Sequence, residues 1–348
     1  MSDESMPSEP TPSEPMSSES MPSESMSSES MSEEALAAQR AMADEMAPDG
    51  TLPGASVTAD EVAAELAERP RDERFDAVEP VPGVSKPDPI LIVDGVWRHF
   101  GGVVAVDVDH VEVQRNSITA LIGPNGAGKT TFFNLVTGFD QPDAGEWQFD
   151  GTRLAGMKPH RVAKRGMVRT FQLTKALSRM SLIENMRLGA TGQRGERVFS
   201  GILQFPWQTQ EREITERADS LLARFKLDHL RGEFAGALSG GQRKLLEMAR
   251  ALMAEPTMVM LDEPMAGVNP ALKQSLLHHI KLLKDEGRTV LFVEHDMDMV
   301  REISDWVIVM AQGRVIAEGP PDLIGQNQEV IDAYLGGHHD NDLGFDDE

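Results

Sequence analysis

Cysteine is missing altogether from the 348 residues of this chain. Disulfides, thiolate nucleophiles and zinc–thiolate sites are therefore excluded, which is compatible with a reducing compartment. Aromatic residues are scarce, at 5% of the sequence, with a single tyrosine. Long apolar runs are missing too. The best candidates, Met258–Leu261 and Trp306–Met310, have the length of buried strands and fall well short of a membrane span. If the protein works at a membrane, other chains must cross it. The N-terminus has neither a basic start nor an apolar stretch, so no secretory signal is expected. An excess of basic residues is also lacking: the net charge is −24, which argues against a nucleic-acid footprint. That acidity sits in the tails. Residues 1–89 hold 21 Asp and Glu against 5 Lys and Arg, and residues 340–348 hold five acids and no base, so the body between is close to neutral.

In the first tail, glutamate recurs at Glu4, Glu9, Glu14, Glu19, Glu24, Glu29 and Glu34 amid Ser, Pro and Met. A five-residue period suits neither a helix face nor a strand face. Such a stretch has too little apolar surface to order itself, so a disordered acidic tail is expected, with a docking arm or a phosphorylated segment as alternatives. Thr58–Glu61 has capping-box spacing ahead of Val62–Leu66, a short transient helix. The proline-rich run over 80–89 reads as the end of a linker, with a domain over 90–337 and an acidic tail over 338–348. Strand-like segments follow at Ile90–Val93, Val103–Val108, Val111–Val113 and Gly145–Phe149. A charge-rich helical region runs from about Ser181 to Ala237. Strand and helix then alternate through Thr257–Leu261, Ala271–Glu286 and Thr289–Val293. This order predicts an α/β fold: a parallel-sheet core with an antiparallel β subdomain and an inserted α-helical subdomain over about 173–237.

The most informative stretch is Gly123, Pro124, Asn125, Gly126, Ala127, Gly128, Lys129 and Thr130, followed by Thr131. It satisfies G-x-x-x-x-G-K-[ST] without mismatch, between a strand-like Ile118–Ile122 and a helix-like Thr131–Val136. Glycines let successive backbone N–H groups turn inward around the phosphates of a nucleotide. Lys129 brings a positive charge to them, and the Thr130 hydroxyl suits Mg²⁺. The positive end of the following helix points at the same anion. A glycine-rich turn without a ligand is the alternative. A second stretch, Thr257–Glu263, is an apolar strand ending in two carboxylates. In a parallel sheet chemistry gathers at the C-terminal ends of strands. Asp262 then suits the Mg²⁺ shell and Glu263 an attacking water, against a merely solvated strand end. Between the two lie Leu238, Ser239, Gly240, Gly241 and Gln242, leading into a helical run. This second anion-type helix start exceeds what one nucleotide needs in one chain, so Ser239, Gly240 and Gly241 are expected to complete the site of a second subunit.

The order of phosphate loop, Gln172, Leu238-Ser-Gly-Gly-Gln242, Leu261-Asp-Glu-Pro264 and His295 resembles the ATP-binding-cassette ATPases over about residues 90–336. The resemblance implies a RecA-like P-loop NTPase that hydrolyses ATP with Mg²⁺. It implies that Phe100 stacks on adenine, where the bland reading is a core phenylalanine. Gln172 would sense Mg²⁺ and a transmembrane partner, and Ser239 to Gln242 would reach the γ-phosphate across a dimer. Asp262 would serve the metal, Glu263 the water and His295 the γ-phosphate, with a dimer-communication loop over 266–270. A narrower resemblance, to the ATPases of branched-chain amino-acid importers, rests on Phe100-Gly-Gly102, Val168-Arg-Thr-Phe-Gln172, Leu261–Pro270, Glu294-His-Asp-Met297 and Asp332-Ala-Tyr-Leu-Gly336. Urea importers share much of this wording. The signature here lacks the Tyr and doubled Gln that most such sequences carry, and the acidic tail lies outside the family pattern. The implied partners are transmembrane permease subunits, a second ATPase subunit in a hetero- or homodimer and, indirectly, an extracytoplasmic solute-binding protein, with no nucleic acid. The implied location is the cytoplasmic face of the cell membrane. A urea or amide importer and an exporter remain alternatives. A soluble non-transport relative fits less well, because one cassette is present and its two motifs lie about 115 residues apart.

Overall fold

The computed structural model describes residues 72–170, 175–191 and 205–339. All of them fall in the second of the chain's two units, Ala59–Glu348. The acidic tail over 1–71, the helix expected near Val62, Gln172 and the residues from 340 onward lie outside the described residues.

Ten strands appear in order among the described residues: β1 (Pro89–Phe100), β2 (Val103–Gln114), β3 (Ile118–Ile122), β4 (Ala144–Phe149), β5 (Thr152–Arg153), β6 (Met167–Arg169), β7 (Met258–Asp262), β8 (Thr289–Val293), β9 (Trp306–Ala311) and β10 (Arg314–Gly319). The helices are α1 (Lys129–Val136), α2 (Pro159–Lys164), α3 (Lys175–Ser178), α4 (Leu182–Gly189), α5 (Phe205–Arg224), α6 (Gly240–Leu252), α7 (Pro270–Asp285), α8 (Met297–Ile303), α9 (Pro321–Ile324) and α10 (Gln328–His339). The larger sheet has the order β10-β9-β3-β8-β7-β6 and is parallel except for β10. The smaller, β2-β1-β4-β5, is antiparallel. Every residue of β3 and β8 is buried, as expected of central strands covered on both faces. The parallel strands end at one edge, which gathers the loops after β3, β6, β7 and β8.

Val103–Val108 and Val111–Val113, which the sequence presents as two segments, are one strand. The apolar alternation slips by one residue between Val108 and Val111, and a period-2 reading breaks there. The β1–β2 register nevertheless runs unbroken there, through Asp94↔His110 and Val96↔Val108, with Gly95 between them at φ +56°.

The packed body also starts earlier than the boundary expected at Pro89. Phe75 is buried and stacks on Trp306, with ring centroids 5.0 Å apart. Lys86 and Glu318 form a 2.9 Å ion pair whose side chains are at most 1% exposed. Glu318 also accepts hydrogen bonds from Trp306 Nε1 at 3.0 Å and from the Gly83 backbone N–H at 3.0 Å. Proline and glycine near residue 80 do mark irregular backbone. Its partners on β9 and β10 lie more than 220 residues away, so no local pattern announces the contact.

The helical part packs around Leu182, Met186, Ala218, Leu222, Leu245 and Met248, all buried in one cluster. Ser181 opens α4 with a capping box to Glu184.

Candidate active site

The phosphate loop leaves β3 at Gly123. A Cβ there would lie 2.0 Å from the Met310 carbonyl oxygen, and one at Gly128 would lie 2.2 Å from that of Ala105. Both glycines have positive φ, as does Gly126. The cradle is thus wedged between β9 and β2, and only glycine fits at its two ends. Pro124, Asn125, Gly126, Thr130 and Thr131 are half-buried or exposed on its open side, whereas Ala127 is buried beneath it. Gly128 caps α1, which starts at Lys129. Lys129 is only 7% exposed, and its ammonium donates to the carbonyls of Gly123 and Pro124 at 2.7 and 2.9 Å. Burial pulls its pKa below the ordinary value, and Glu263 and Asp262 oppose that pull. The loop cation and the two carboxylates of the β7 end therefore share one electrostatic neighbourhood.

β7 is buried from Met258 to Leu261 and surfaces at Asp262. Asp262 Oδ2 accepts a hydrogen bond from Arg169 at 2.6 Å. Glu263 sits at φ +46°, which costs a non-glycine residue of order 1 kcal/mol or more and is held by its surroundings. Its N–H donates to Val293 at 3.0 Å, and its carbonyl accepts from Lys244 of α6 at 3.1 Å. Its side chain meets His295, Oε1 to Nε2, at 2.8 Å, with both side chains nearly half exposed. The sequence expected Glu263 and His295 at one edge of the sheet, and the fold brings them into contact.

Ser239 caps α6: Gln242 N–H donates to its hydroxyl at 3.3 Å, and Gln242 Oε1 accepts from Ser239 N–H at 2.9 Å. Ser239 and Gly240 are exposed, while Gly241 is buried. A Cβ on Gly241 would lie 2.6 Å from Leu272 Cδ1, and one on Gly240 would lie 3.3 Å from the Gly267 carbonyl oxygen. These two glycines let the signature pack on the segment over 266–272.

Phe100 is 51% exposed. A core role is ruled out. Its ring lies 4.6 Å from the Arg98 guanidinium, which Asp140 and Asp143 hold. Phe100 pairs with Val103, two residues before the Ala105 that touches the phosphate loop. Gln172 falls outside the described residues, although β6 leads directly to it.

Three supporting residues had no assigned role from sequence. Glu294 is 4% exposed and accepts from Met265 N–H at 2.9 Å and His295 N–H at 3.0 Å, tying the loop after β7 to the one after β8. Lys244 fixes the Glu263 backbone, and Arg169 holds Asp262. A charged residue buried at the end of an apolar strand is the signal that could have found Glu294. The other two are visible only through contacts made at long range.

Mg²⁺ can be tested against this donor set. Among the described residues there is no group of three His, Cys, Asp or Glu side chains arranged to hold a metal ion by themselves. Mg²⁺ is usually held by one or two carboxylates or hydroxyls together with substrate phosphates, and the Thr130 hydroxyl and a part-exposed Asp262 match that chemistry. The residues fit.

A phosphate cradle at the end of a central strand of a parallel sheet, with carboxylates at the same edge on β7, one strand removed, defines a P-loop nucleotide hydrolase of the cassette type. The family described as "ABC transporter" matches residues 106–266, and "Branched-chain amino acid ATP-binding cassette transporter" matches residues 314–340. The chain is 43% identical to a probable branched-chain amino acid transport ATP-binding protein LivG of Archaeoglobus fulgidus, over 71% of this chain and 95% of that protein. It is 40% identical to the high-affinity branched-chain amino acid transport ATP-binding protein BraF of Pseudomonas aeruginosa, over 71% and 98%. A crystal structure of a nucleotide-free ATP-binding cassette from an ABC transporter superposes with TM-score 0.63 at 36% identity, covering 70% of this chain and 98% of that one. The ADP conformation of such a cassette also gives 0.63 at 36%, over 71% and 99%. This chain belongs to the ABC transporter family, as an ATP-binding ATPase subunit.

Proposed function

We propose that the chain is the ATP-hydrolysing subunit of an importer for branched-chain or related amino acids. Separate permease subunits would cross the membrane, and this chain would sit on its cytoplasmic face. Among the described residues no helix is long and apolar enough to cross it. The observation that carries the hydrolytic reading is the 2.8 Å contact between Glu263 and His295, set beside a glycine cradle whose Lys129 feels both Glu263 and Asp262. The substrate class rests on the names of the relatives and on the match of residues 314–340.

In this reading the backbone N–H groups of 123–131 and Lys129 bind the β- and γ-phosphates, and Phe100 stacks on the base. Thr130, Asp262 and Gln172 hold Mg²⁺, which neutralises phosphate charge when bound. Glu263 orients and polarises the attacking water, and His295 supports both Glu263 and the γ-phosphate. The exposed Ser239 and Gly240, with Gln242, face the nucleotide of a second ATPase subunit, identical or not. Closure of the pair would move the permeases, and hydrolysis would reopen it. A cavity of about 210 Å³ lined by Thr137, Phe139, Pro159, His160, Val168 and Arg169 lies beside the strand leading to Gln172. Phe139 is 54% exposed there, and this groove suits a cytoplasmic helix of a permease.

Tagged Glu263→Gln protein, held with Mg·ATP and recovered from solubilised host membranes, tests this reading. Two permeases, a second ATPase and an amino-acid-binding protein should co-purify. Recovery of ribosomes, or of no membrane protein, would overturn the transport assignment. Full steady-state hydrolysis by Glu263→Gln would overturn the residue roles.

A further inference from the structure

Arg169 stands out because its charge is nearly enclosed beside Asp262 and the reading above gives that charge no task in metal or nucleotide binding. Its side chain is 6% exposed, against 29% for Asp262, and its Nη2 donates to Asp262 Oδ2 at 2.6 Å. Its Nη1 donates to Asn134 Oδ1 of α1 at 2.7 Å, and the guanidinium carbon lies 5.4 Å from the centroid of the buried Phe133 ring. The arginine therefore bridges the helix that follows the phosphate loop and the strand end that carries the carboxylate. Its planar fork suits two acceptors in fixed directions, which a flexible ammonium does not reproduce.

Enclosing a guanidinium is costly unless a carboxylate compensates it, and removing one partner leaves the other charge exposed to that cost. Here a carboxylate that compensates it, Asp262, is the residue assigned to Mg²⁺. A cation held by Asp262 would share that carboxylate with a fixed positive charge, and repulsion between charges around one carboxylate is strong at the effective dielectric of a protein edge.

We propose that Arg169 is a positioning residue that serves as the built-in counter-charge of Asp262. It keeps the carboxylate compensated and oriented before Mg²⁺ arrives, and it raises the Mg²⁺ concentration needed for tight nucleotide binding. The inference rests on the assignment of Asp262 to the metal. It extends that assignment from which residue serves Mg²⁺ to what sets the metal requirement.

The test is an equilibrium fluorescence titration of the purified full chain. A mant-labelled ATP analogue resistant to hydrolysis is bound at free Mg²⁺ from micromolar to millimolar. Arg169→Gln should reach half-saturation at about tenfold lower free Mg²⁺ than the wild type, a shift of about 1.4 kcal/mol. Arg169→Lys, which keeps the charge, should stay near the wild-type midpoint. Melting curves give a second readout. Arg169→Gln should melt below the wild type without metal and nucleotide, because Asp262 is then uncompensated, and the gap should narrow when both are added. A purely structural arginine would give the same melting deficit in both conditions and an unmoved midpoint, and that result overturns the proposal. If Asp262→Asn weakens the Mg²⁺ dependence while Arg169→Gln leaves it untouched, the counter-charge falls and the assignment of Asp262 stands. If neither variant changes it, both fall. Should Arg169→Gln not fold, the double variant R169Q/D262N leaves no enclosed charge unpaired. It should need less Mg²⁺ than Asp262→Asn alone, and an equal or greater need overturns the proposal.

Discussion

Two glycines of the phosphate loop separate backbone strain from steric overlap. At Gly126 φ is +77° and a Cβ would meet nothing within 4 Å. Gly126→Ala then carries only the left-handed penalty of an L-residue, about 1–2 kcal/mol. At Gly128 φ is +99° and the new Cβ would stand 2.2 Å from the Ala105 carbonyl oxygen, with the backbone of Gly313 also close. That oxygen is main chain within β2, so it cannot rotate away. Relief requires moving the loop or the strand, which adds about 1–3 kcal/mol. The total for Gly128→Ala is therefore about 2–5 kcal/mol, or roughly 4–20 °C of melting temperature for a domain of this size. The displacement falls on the N–H groups that start α1, so ATP affinity should drop with stability. Scanning calorimetry with and without Mg·ATP, alongside ATP-binding titration, measures both effects. Gly126→Ala should lie between the wild type and Gly128→Ala in melting temperature. A Gly128→Ala protein that melts at or above Gly126→Ala, or that binds ATP with wild-type affinity, would refute the steric argument.

His295→Ala removes the 2.8 Å partner of Glu263. It should lower kcat by about 10²-fold or more while ATP binding persists, as rapid-quench and binding assays would show. Phe100→Ala removes an exposed ring backed by Arg98 and should weaken ATP binding by about 1–2 kcal/mol with kcat little changed, a split that a core phenylalanine would not give. His279 is 7% exposed and packs 4.3 Å from the Phe225 ring. Burial first, then the charges of Arg224, His278 and Lys226, push its pKa down from 6.5 to about 4. A depressed value means stability present above pH 6.5 and lost as pH falls towards 4, about 2 kcal/mol between pH 7 and pH 5. Urea unfolding at those two pH values should show that loss in the wild type and a smaller one in His279→Phe. Asp72 is held well below the usual carboxylate range by its hydrogen bond to Arg74 and by Lys284, against burial. Its contribution is present above the ordinary carboxylate pKa and is lost only under stronger acid, so Asp72→Asn should flatten the acid limb of the stability curve below pH 4.

The phosphate loop was legible because its chemistry is contiguous. Glycine, lysine and threonine at fixed offsets between a strand and a helix admit few other uses. The two carboxylates of 262–263 were legible for a related reason, since a strand buried on both faces must be apolar and its first charged residues mark the edge where it ends. What the sequence could not express is the reason each motif holds its shape. Gly128 must be glycine because of the Ala105 main chain, and Gly241 packs closely on the Leu272 side chain. Arg169 is anchored by residues on two different elements, and the stretch read as linker is pinned by Glu318. These constraints join positions far apart in the chain and leave no local period. Glu263 is the sharpest case. Nothing in its neighbours requires a left-handed backbone, and a glutamate has no preference for one. That conformation is imposed by Val293 below it and Lys244 behind it, and it turns the carboxylate toward His295. The residue proposed to orient the attacking water is thus one whose backbone is held by partners elsewhere in the chain, as expected where folding energy is spent on orienting a reacting group.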